Sequence, residues 1–480
     1  MARLKTARTR GAARAVGART RIERDTMGEV RVPASALWGA QTGRAVENFP
    51  ISGLRAHPAF VDATVRVKLA AARVNARLGL LPRKTARAVE RAAREVLSGR
   101  FREQFVVDVY QAGAGTSHNM NVNEVLANRA TELLGGRRGA ERLVDPNDDV
   151  NMAQSTNDVV PTAIRLAALD LAPAVIEALS GLATTFEGKA RRWQRIVKSG
   201  RTHLMDATPI TLGQEVSGWA AALRSAAGRV RDALPELSVL GIGGTAVGTG
   251  LNAHPRYRAL VVAELERLTG VPLVPAPNPF YAMQSLAPAV ALSAALRTAA
   301  LELVRIGGDV RLLGSGPNTG LGELRLPPVQ PGSSIMPGKV NPSMAEMLTM
   351  VSYQVLAMDA GIAWAASGGQ LELNVMMPLV AWDLCHALDI LARAVRAFDA
   401  RCARGLEAVP DRARHYAERT VSLATALAPR LGYARAAEIV KASVATGRSI
   451  VELAVEMGGL SPAEARRILD PGKLTHPGRA

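Results

Sequence analysis

Aromatic residues and cysteines are both scarce in this 480-residue sequence. Phe, Tyr and Trp together make up 4% of it, so a hydrophobic core must be built mainly from Ala, Leu and Val, a composition typical of helix bundles. The two cysteines, Cys385 and Cys402, are too few for a disulfide framework and lack the spacing of metal ligands. We therefore expect a cytoplasmic helical protein, in a reducing compartment, with no bound metal.

Long uninterrupted apolar runs are also missing. Charged or strongly polar residues interrupt even the Ala- and Leu-rich stretch at residues 286–303. No run without such residues reaches the length that spans a bilayer. This pattern predicts a soluble chain without membrane association.

Acidic residues are absent from the first 21 positions, although the whole chain carries a formal net charge of +17. Seven basic residues lie in residues 1–21, which leaves +10 for the rest of the chain. Such a composition favours a disordered tail. Elsewhere the basic residues are scattered and no aromatic residues alternate with them, so we do not expect nucleic acid as a partner.

Strand signals are almost absent, whereas apolar residues recur at helical spacing through most of the chain. We predict a mainly α protein with three domains behind the tail at residues 1–21. These are an N-terminal helical domain at 22–154, a central bundle of long helices at 155–410 and a small C-terminal helical domain at 411–480.

One segment rich in proline and glycine interrupts the central helices at residues 331–342, with the sequence PGSSIMPGKVNP. Three prolines and two glycines exclude a helix, so the segment is predicted to be a loop. Its polar groups are a hydroxyl pair, a cation and an amide, supplied by Ser333, Ser334, Lys339 and Asn341. The spacing is not that of a P-loop, because five residues separate Gly332 from Gly338 and a valine follows the lysine.

Three further polar segments lie at predicted helix ends. Ser155, Thr156 and Asn157 precede a helix predicted to begin near residue 159, and its positive N-terminal end suits a carboxylate. A helix cap alone needs only one of them. Thr116 lies in a second segment at residues 113–124. The third segment, at residues 200–209, contains Thr202 and His203. A lone histidine is more often structural than catalytic.

These segments resemble those of one enzyme family. The loop has the form GSSxMPxKxNP, residues 201–209 read RTHLMDATP, residues 244–252 read GTAVGTGLN and residues 37–42 read LWGAQT. From about residue 25 to residue 478, the chain resembles the class II fumarases of the fumarase/aspartase superfamily. The resemblance implies a three-domain, nearly all-α subunit and a homotetramer with one shared helical core. It also implies a small dicarboxylate substrate, no cofactor, and active sites that each take segments from three subunits.

The resemblance further implies a role for each candidate residue. Ser333 is the expected base that removes a C–H proton next to a carboxylate, and Lys339 would stabilise the charge that develops. His203, paired with Glu346, is the expected group on the opposite face, where water departs. Substrate-binding roles fall on Thr116, Ser155, Thr156, Asn157, Thr202, Ser334 and Asn341.

The sequence leaves two eliminations open. Most motifs favour loss of water from L-malate to give fumarate. Thr156 and Ala114, however, lie at positions where aspartases and fumarases differ, and these two residues are more similar to aspartases. Aspartate ammonia-lyase is therefore the alternative. Two further departures are Asn318, where both families commonly have arginine, and Asp145, which replaces a histidine of the accessory dicarboxylate site of fumarases. A third alternative is a structural role without catalysis, as in lens proteins of the superfamily. Such a role would not require the polar residues of the loop, which are all present.

Overall fold

The computed structural model describes residues 19–139 and 142–478, and most of these residues are helical. The predicted mainly α class is therefore confirmed. The helices of the described part are α1 (Ala40–Asn48), α2 (Pro58–Arg77), α3 (Arg83–Leu97), α4 (Thr116–Leu133), α5 (Thr156–Trp193), α6 (Leu212–Asp232), α7 (Tyr257–Thr269), α8 (Pro279–Gln284), α9 (Ala287–Leu313), α10 (Ser343–Ser367), α11 (Met377–Arg401), α12 (Pro410–Arg419), α13 (Ala428–Leu431), α14 (Tyr433–Thr446), α15 (Ile450–Glu456) and α16 (Pro462–Ile468).

Short strands accompany the helices and pair in twos. In chain order they are β1 (Thr20–Asp25), β2 (Gly28–Pro33), β3 (Val197–Thr202), β4 (Met205–Thr211), β5 (Val239–Leu240), β6 (Val274–Pro275), β7 (Leu324–Arg325) and β8 (Glu407–Ala408). The pairs β1–β2 and β3–β4 are antiparallel hairpins, β5–β6 is parallel and β7–β8 is antiparallel. The near absence of strand signals in the sequence was therefore misleading at the two hairpins.

The β1–β2 hairpin begins inside the segment that we predicted to be a disordered tail. Thr20 and Arg21 are the first residues of β1. The Arg21 guanidinium donates to the carbonyl oxygens of Ala36 at 2.6 Å and Trp38 at 2.8 Å, and to the buried carboxylate of Glu23 at 2.6 Å. The ordered chain thus starts before residue 22. The remaining tail residues, 1–18, lie outside the described part.

Reciprocal capping explains where the long helix α5 begins. The Ser155 hydroxyl oxygen accepts the N–H of Asn157 at 3.2 Å, while the Asp158 carboxylate accepts the N–H of Ser155 at 2.9 Å. Two N–H groups that the helix leaves free are satisfied in this way. The helix therefore begins at Thr156, three residues before the predicted start, and runs for 38 residues.

The described residues form two compact units, each made of several chain segments. The first unit contains residues 19–139, 142–169, 236–289 and 364–385. Its core lies among α2, α3 and α4 and consists of small aliphatic side chains, as the scarcity of aromatics predicted. Fully buried members include Val65, Leu69, Val89, Val96, Val125 and Leu126.

The second unit contains residues 170–235, 290–363 and 386–478. Phe186 of α5 and Trp219 of α6 pack edge to face within it, with 5.4 Å between ring centroids. The C-terminal helices surround a separate hydrophobic cluster that includes Leu427, Ile439 and Leu453. The division of the chain at residues 154 and 410 stays a prediction.

Among residues 19–139 and 142–478, two helices are long and apolar enough to cross a membrane when only length and composition are considered. They are α5 and α9, and 72% and 50% of their most apolar windows are buried inside the chain. Helices of this kind also form the cores of soluble proteins. The sequence criterion had excluded them because it counted each charged residue as an interruption.

Candidate active site

The proline-rich loop is closed by hydrogen bonds between its two ends. The Gly332 N–H donates to the Lys339 carbonyl oxygen at 2.8 Å, and the Asn341 side-chain amide donates to the Gly332 carbonyl oxygen at 2.6 Å. A Cβ atom on Gly332 would lie 2.6 Å from that lysine oxygen and 2.7 Å from the backbone nitrogen of Asn341. Glycine is therefore required here by the close approach of the loop ends.

Ser333 has a distinctive environment within this loop. Its hydroxyl oxygen accepts the backbone N–H groups of Ile335 at 3.2 Å and Met336 at 3.0 Å. Paired N–H donors of this kind stabilise negative charge on an oxygen atom. The loop thus directs two backbone N–H groups at the Ser333 oxygen, and it leaves the neighbouring Ser334 and Lys339 exposed to solvent.

His203 lies at the tip of the β3–β4 hairpin, whereas the sequence suggested a polar break between helices. His203 and Leu204 form a two-residue turn in which both residues have positive φ, 56° and 60°. Such a turn matches the twist of the flanking strands but normally contains Asn or Gly. A histidine held in this strained conformation is characteristic of a functional position. Thr202 is the last residue of β3, so it directly precedes His203 at this tip.

A buried ionic network lies at the base of this hairpin. The carboxylate of Glu323 is completely buried and binds Arg201 at 3.0 Å and Lys198 at 3.1 Å. The Lys198 ammonium also donates to Glu215 at 2.9 Å. Burial raises the pKa of Glu215, and the charge of Lys198 opposes that effect. Lys198 is therefore joined to α6 through Glu215, and both Lys198 and Arg201 are joined to the segment before β7 through Glu323.

Glu346 lies in the first turn of α10 and is partly buried. Within residues 19–139 and 142–478, neither Glu346 nor His203 forms a side-chain hydrogen bond or an ion pair. The predicted His203–Glu346 pair is thus not formed inside the described part of one chain. It stays a prediction for the assembled protein.

The first unit holds the remaining candidates. Thr156 is the first residue of α5, and the Asn157 side-chain amide donates to the carbonyl oxygen of Ala246 at 2.8 Å. Thr116 is the first residue of α4 and follows Gly115, whose φ is 87°. The turn that precedes Thr116 is fixed by a hydrogen bond from the Ala114 N–H to the Val375 carbonyl oxygen at 2.8 Å.

A polar cleft opens in the first unit beside the N-terminus of α5. Its lining contains one acidic residue, Asp148. Most of its other polar members carry neutral amide or hydroxyl groups, namely Asn119, Asn147, Asn151, Gln154, Ser155, Thr156, Thr245 and Asn252. The sequence-predicted residues Ser155 and Thr156 are therefore brought together in one cleft. Thr202, His203, Glu346 and the 331–342 loop belong to the second unit.

Lys68 was missed by the sequence analysis. It lies on α2, is completely buried, and its ammonium donates to Asn151 Oδ1 at 2.8 Å and Gln154 Oε1 at 3.0 Å. Burial lowers the pKa of Lys68 to about 7, although the charge of Asp158 acts in the opposite direction. One signal could have identified it: Lys68 has Val61, Val65 and Ala72 at helical spacing, which places it on the apolar side of α2.

Comparison with protein families places the fold and these segments in one class. The family model described as lyase matches residues 28–357, and the model of the fumarase C C-terminus matches residues 423–476. Together with the predominantly helical fold and the loop at residues 331–342, these matches define a lyase of the fumarase/aspartase superfamily.

Individual relatives are similar over nearly their whole length. The class II fumarate hydratase of Ralstonia nicotianae is 49% identical over 440 residues, which is 92% of this chain and 95% of that protein. The corresponding protein of Thermus thermophilus is 48% identical over 460 residues, 95% of this chain and 98% of the relative. The crystal structure of class II fumarase from Schistosoma mansoni matches with a TM-score of 0.92 at 36% identity and covers 95% of this chain and 99% of its own. This chain belongs to the class II fumarate hydratase family. The aspartase alternative has no counterpart among these three relatives.

Proposed function

We propose that the protein catalyses the reversible addition of water to fumarate, giving L-malate. The observation that carries this proposal is the Ser333 hydroxyl oxygen, which accepts two backbone N–H groups inside a loop that also contains Lys339. A base that removes a C–H proton must be held and charged in this way. Membership of the class II fumarate hydratase family supports water rather than ammonia as the group exchanged.

In the direction of dehydration, Ser333 acts as the base. Its alkoxide takes a proton from the carbon of malate next to one carboxylate, and the electron pair moves onto that carboxylate to form an aci-carboxylate. Lys339, Asn341 and Thr202 are of the right chemical type to stabilise this charge, because a cation and fixed hydrogen-bond donors act most strongly where charge develops.

The leaving hydroxide needs a proton on the opposite face of the substrate. His203 supplies it, directly or through an ordered water, and Glu346 holds the imidazole in its proton-donating form. With this proton the hydroxide leaves as water, the carbon–carbon double bond forms, and fumarate is the second product. The exposed hairpin tip that carries His203 is well placed to reach a substrate held by another chain.

Neutral donors hold the substrate in this scheme. Ser334 belongs to the loop, and the others lie at the N-terminal ends of two helices, where the backbone adds positive potential. They are Thr116, Ser155, Thr156 and Asn157. Because they are uncharged, they bind a dianion without retaining the product too tightly.

A homotetramer is the assembly we propose, with each site shared by three subunits. Between Met350 and Trp364, one face of α10 is exposed and carries no charged residue. Its members recur at helical spacing and include Met350, Tyr353, Gln354, Ala357, Ala360 and Trp364. Met350 is 63% exposed and Trp364 is 79% exposed. A continuous apolar face of this kind indicates contact with another chain. The family membership and the two buried free cysteines support a cytoplasmic location.

The proposal is tested by following the absorbance of the fumarate double bond after purified protein is mixed separately with L-malate and L-aspartate. We expect the signal from malate alone. Signal from aspartate alone would assign the ammonia-lyase reaction instead. The absence of signal from both would overturn the proposed chemistry.

A further inference from the structure

Lys68 occupies an unusual place for a lysine. Its side chain is completely buried in α2, and its ammonium lies directly behind two residues that line the polar cleft, Asn151 and Gln154. The two hydrogen bonds, 2.8 Å and 3.0 Å long, both go to neutral amide oxygens. A charge is rarely buried without a compensating partner. Its position therefore calls for an explanation beyond the folding of the first unit.

Within residues 19–139 and 142–478, the Lys68 ammonium has no carboxylate at ion-pair distance. The acidic group whose charge acts on Lys68 is Asp158 on α5, which accepts the N–H groups of Ser155, Gly243 and Thr245 at 2.9, 3.0 and 2.9 Å. Burial raises the pKa of Asp158 to about 6, and these backbone hydrogen bonds and the charge of Lys68 oppose that effect only in part. His118 on α4 also faces Lys68, and burial lowers its pKa to about 3, so the imidazole is neutral near pH 7.

A chain of hydrogen bonds connects Lys68 with the proposed substrate-binding residues. Asn151 Oδ1 accepts the Lys68 ammonium and also the side-chain N–H of Asn119 at 3.3 Å. The amide of Asn119 donates in turn to Thr156 Oγ at 3.2 Å. The ammonium of Lys68 fixes the orientation of the Asn151 side-chain oxygen. Because the Asn119 amide donates to this oxygen and to Thr156, its orientation depends on Lys68 as well.

We propose that Lys68 is a positioning residue for dicarboxylate binding: its buried ammonium orients Asn151, Gln154 and Thr156 and supplies the positive charge that a dianion meets in the cleft. This inference rests on the proposed function, because it takes the cleft at the N-terminus of α5 to be part of the dicarboxylate site. The ammonium and the positive end of α5 act in the same direction on an anion.

The charge of the ligand gives a readout that a structural role would not change. Succinate is a dianion, and succinamate, which has almost the same shape, is a monoanion. The Coulomb interaction with Lys68 is twice as large for the dianion. The binding is measured by calorimetry at pH 6.5, below the pKa of Lys68, so that the ammonium is mostly protonated. In Lys68→Met we therefore expect binding of succinate to weaken by roughly tenfold or more, and binding of succinamate by only about threefold. KM for fumarate should rise by about the same factor as the dissociation constant of succinate, whereas kcat should change less.

Two further variants complete the experiment. Lys68→Gln retains a hydrogen-bond donor without the charge, so it should show the same dependence on ligand charge as Lys68→Met. Lys189→Met is the matched control, because this buried lysine also donates only to neutral oxygens, the carbonyls of Arg404 and Leu406, in the second unit. We expect it to leave the succinate-to-succinamate ratio unchanged.

The outcomes separate this inference from the proposed function. Equal losses for both ligands, restored binding in Lys68→Gln, or failure of both Lys68 variants to fold while Lys189→Met folds would overturn the positioning role. Hydratase activity of the wild-type protein is measured independently. If it were missing, the proposed function would fail, while the binding ratios would still decide the role of Lys68.

Discussion

The hydroxyl oxygen of Ser333 lies 3.0 Å from the backbone nitrogen of Met336 and accepts its N–H. A free serine hydroxyl is far too weak an acid to act as an alkoxide near neutral pH. The second N–H, from Ile335, favours the ionised form as well, and the proposal assigns the same effect to Lys339 of this loop. The catalytic proposal depends on this relationship.

Replacing Ser333 by Ala should lower kcat by at least about a hundredfold, because the base that removes the C–H proton is lost. The midpoint of thermal unfolding should remain within a few degrees of wild type, since the side chain is not part of the core. Fumarate absorbance and circular dichroism check the two expectations. Ser98→Ala, at an exposed serine on the C-terminal end of α3, is the control. Activity close to wild type in Ser333→Ala would remove this serine from its role.

Two glycines of the loop offer a matched comparison. A methyl group on Gly332 would collide with the backbone at 2.6 Å, whereas around Gly338 there is open space and only a positive φ of 77°. Gly332→Ala should therefore open the loop and reduce activity by about tenfold or more. Gly338→Ala should cost about 1 kcal/mol of local strain and a smaller loss of activity. Steady-state kinetics of both variants measure the difference, and equal losses would contradict the required closure at Gly332.

The carboxylate of Glu323 should be important because it is fully buried beneath the hairpin of His203. Glu323→Gln leaves Arg201 with a weaker partner, and we expect a loss of about 3 kcal/mol in the free energy of unfolding, with reduced kcat. Glu407→Gln breaks an ion pair with Arg325 in which both side chains are more than half exposed, and such pairs contribute little. Urea unfolding distinguishes the two. A loss below about 0.5 kcal/mol in Glu323→Gln would show that the network does not stabilise the hairpin.

The apolar face of α10 predicts a dependence of activity on assembly. A lysine at Tyr353, which is 56% exposed in the single chain, would place a charge in the proposed interface. Tyr353→Lys should therefore shift the protein to smaller species in analytical ultracentrifugation and lower its activity in proportion. Met27→Lys, at a residue 79% exposed in the turn between β1 and β2, is expected to change neither. A tetramer that survives Tyr353→Lys unchanged would place the interface elsewhere.

Stability should depend on pH through Lys68. Its pKa is about 7 in the folded protein and near the ordinary value of about 10.4 in the unfolded chain. Between these values the unfolded chain binds more protons, so the contribution of Lys68 to the free energy of unfolding rises with pH. A buried ammonium lowers the free energy of unfolding, so we expect Lys68→Met to be more stable than wild type at pH 7.5. Because Lys68 of the unfolded chain still binds its proton above pH 7, this difference should shrink between pH 7.5 and 9.5, by at most about 1.4 kcal/mol per pH unit. In the wild-type protein the pKa of Asp158 is about 6 and that of His118 about 3, both below this window.

Urea unfolding at the two pH values measures this difference. Lys441→Met, at an exposed lysine of α14, is the control and should follow the wild-type slope. Parallel pH profiles for wild type and Lys68→Met would contradict the lowered pKa.

Most helices could be predicted from the sequence, because apolar residues at helical spacing and glycine stops fix them locally. For example, apolar residues recur at helical spacing between His57 and Gly79, and this region contains α2, from Pro58 to Arg77. The hairpins could not be predicted in this way. Residues 201–209 lack alternating apolar residues, and the turn at His203 and Leu204 has neither of the residues, Asn or Gly, that normally indicate a hairpin.

The residues of the candidate site also differ in whether the local sequence could reveal them. Ser333, Lys339 and Asn341 were recognisable because their loop composition is incompatible with a helix. The surroundings that give Ser333 its character are backbone N–H groups, which carry no sequence signal. Lys68 depends on burial by distant segments, since the side chains it contacts lie more than 80 positions further along the chain.

The burial of both cysteines has a practical consequence for labelling. Cys385 is inaccessible, and burial raises the pKa of the Cys402 thiol to about 12, so neither should react with maleimide reagents in the native state. A new cysteine at position 335, where Ile335 is 84% exposed, would then carry a fluorophore at a single defined place. The protein as it stands therefore already has the background needed for spectroscopic measurement of loop motion during turnover.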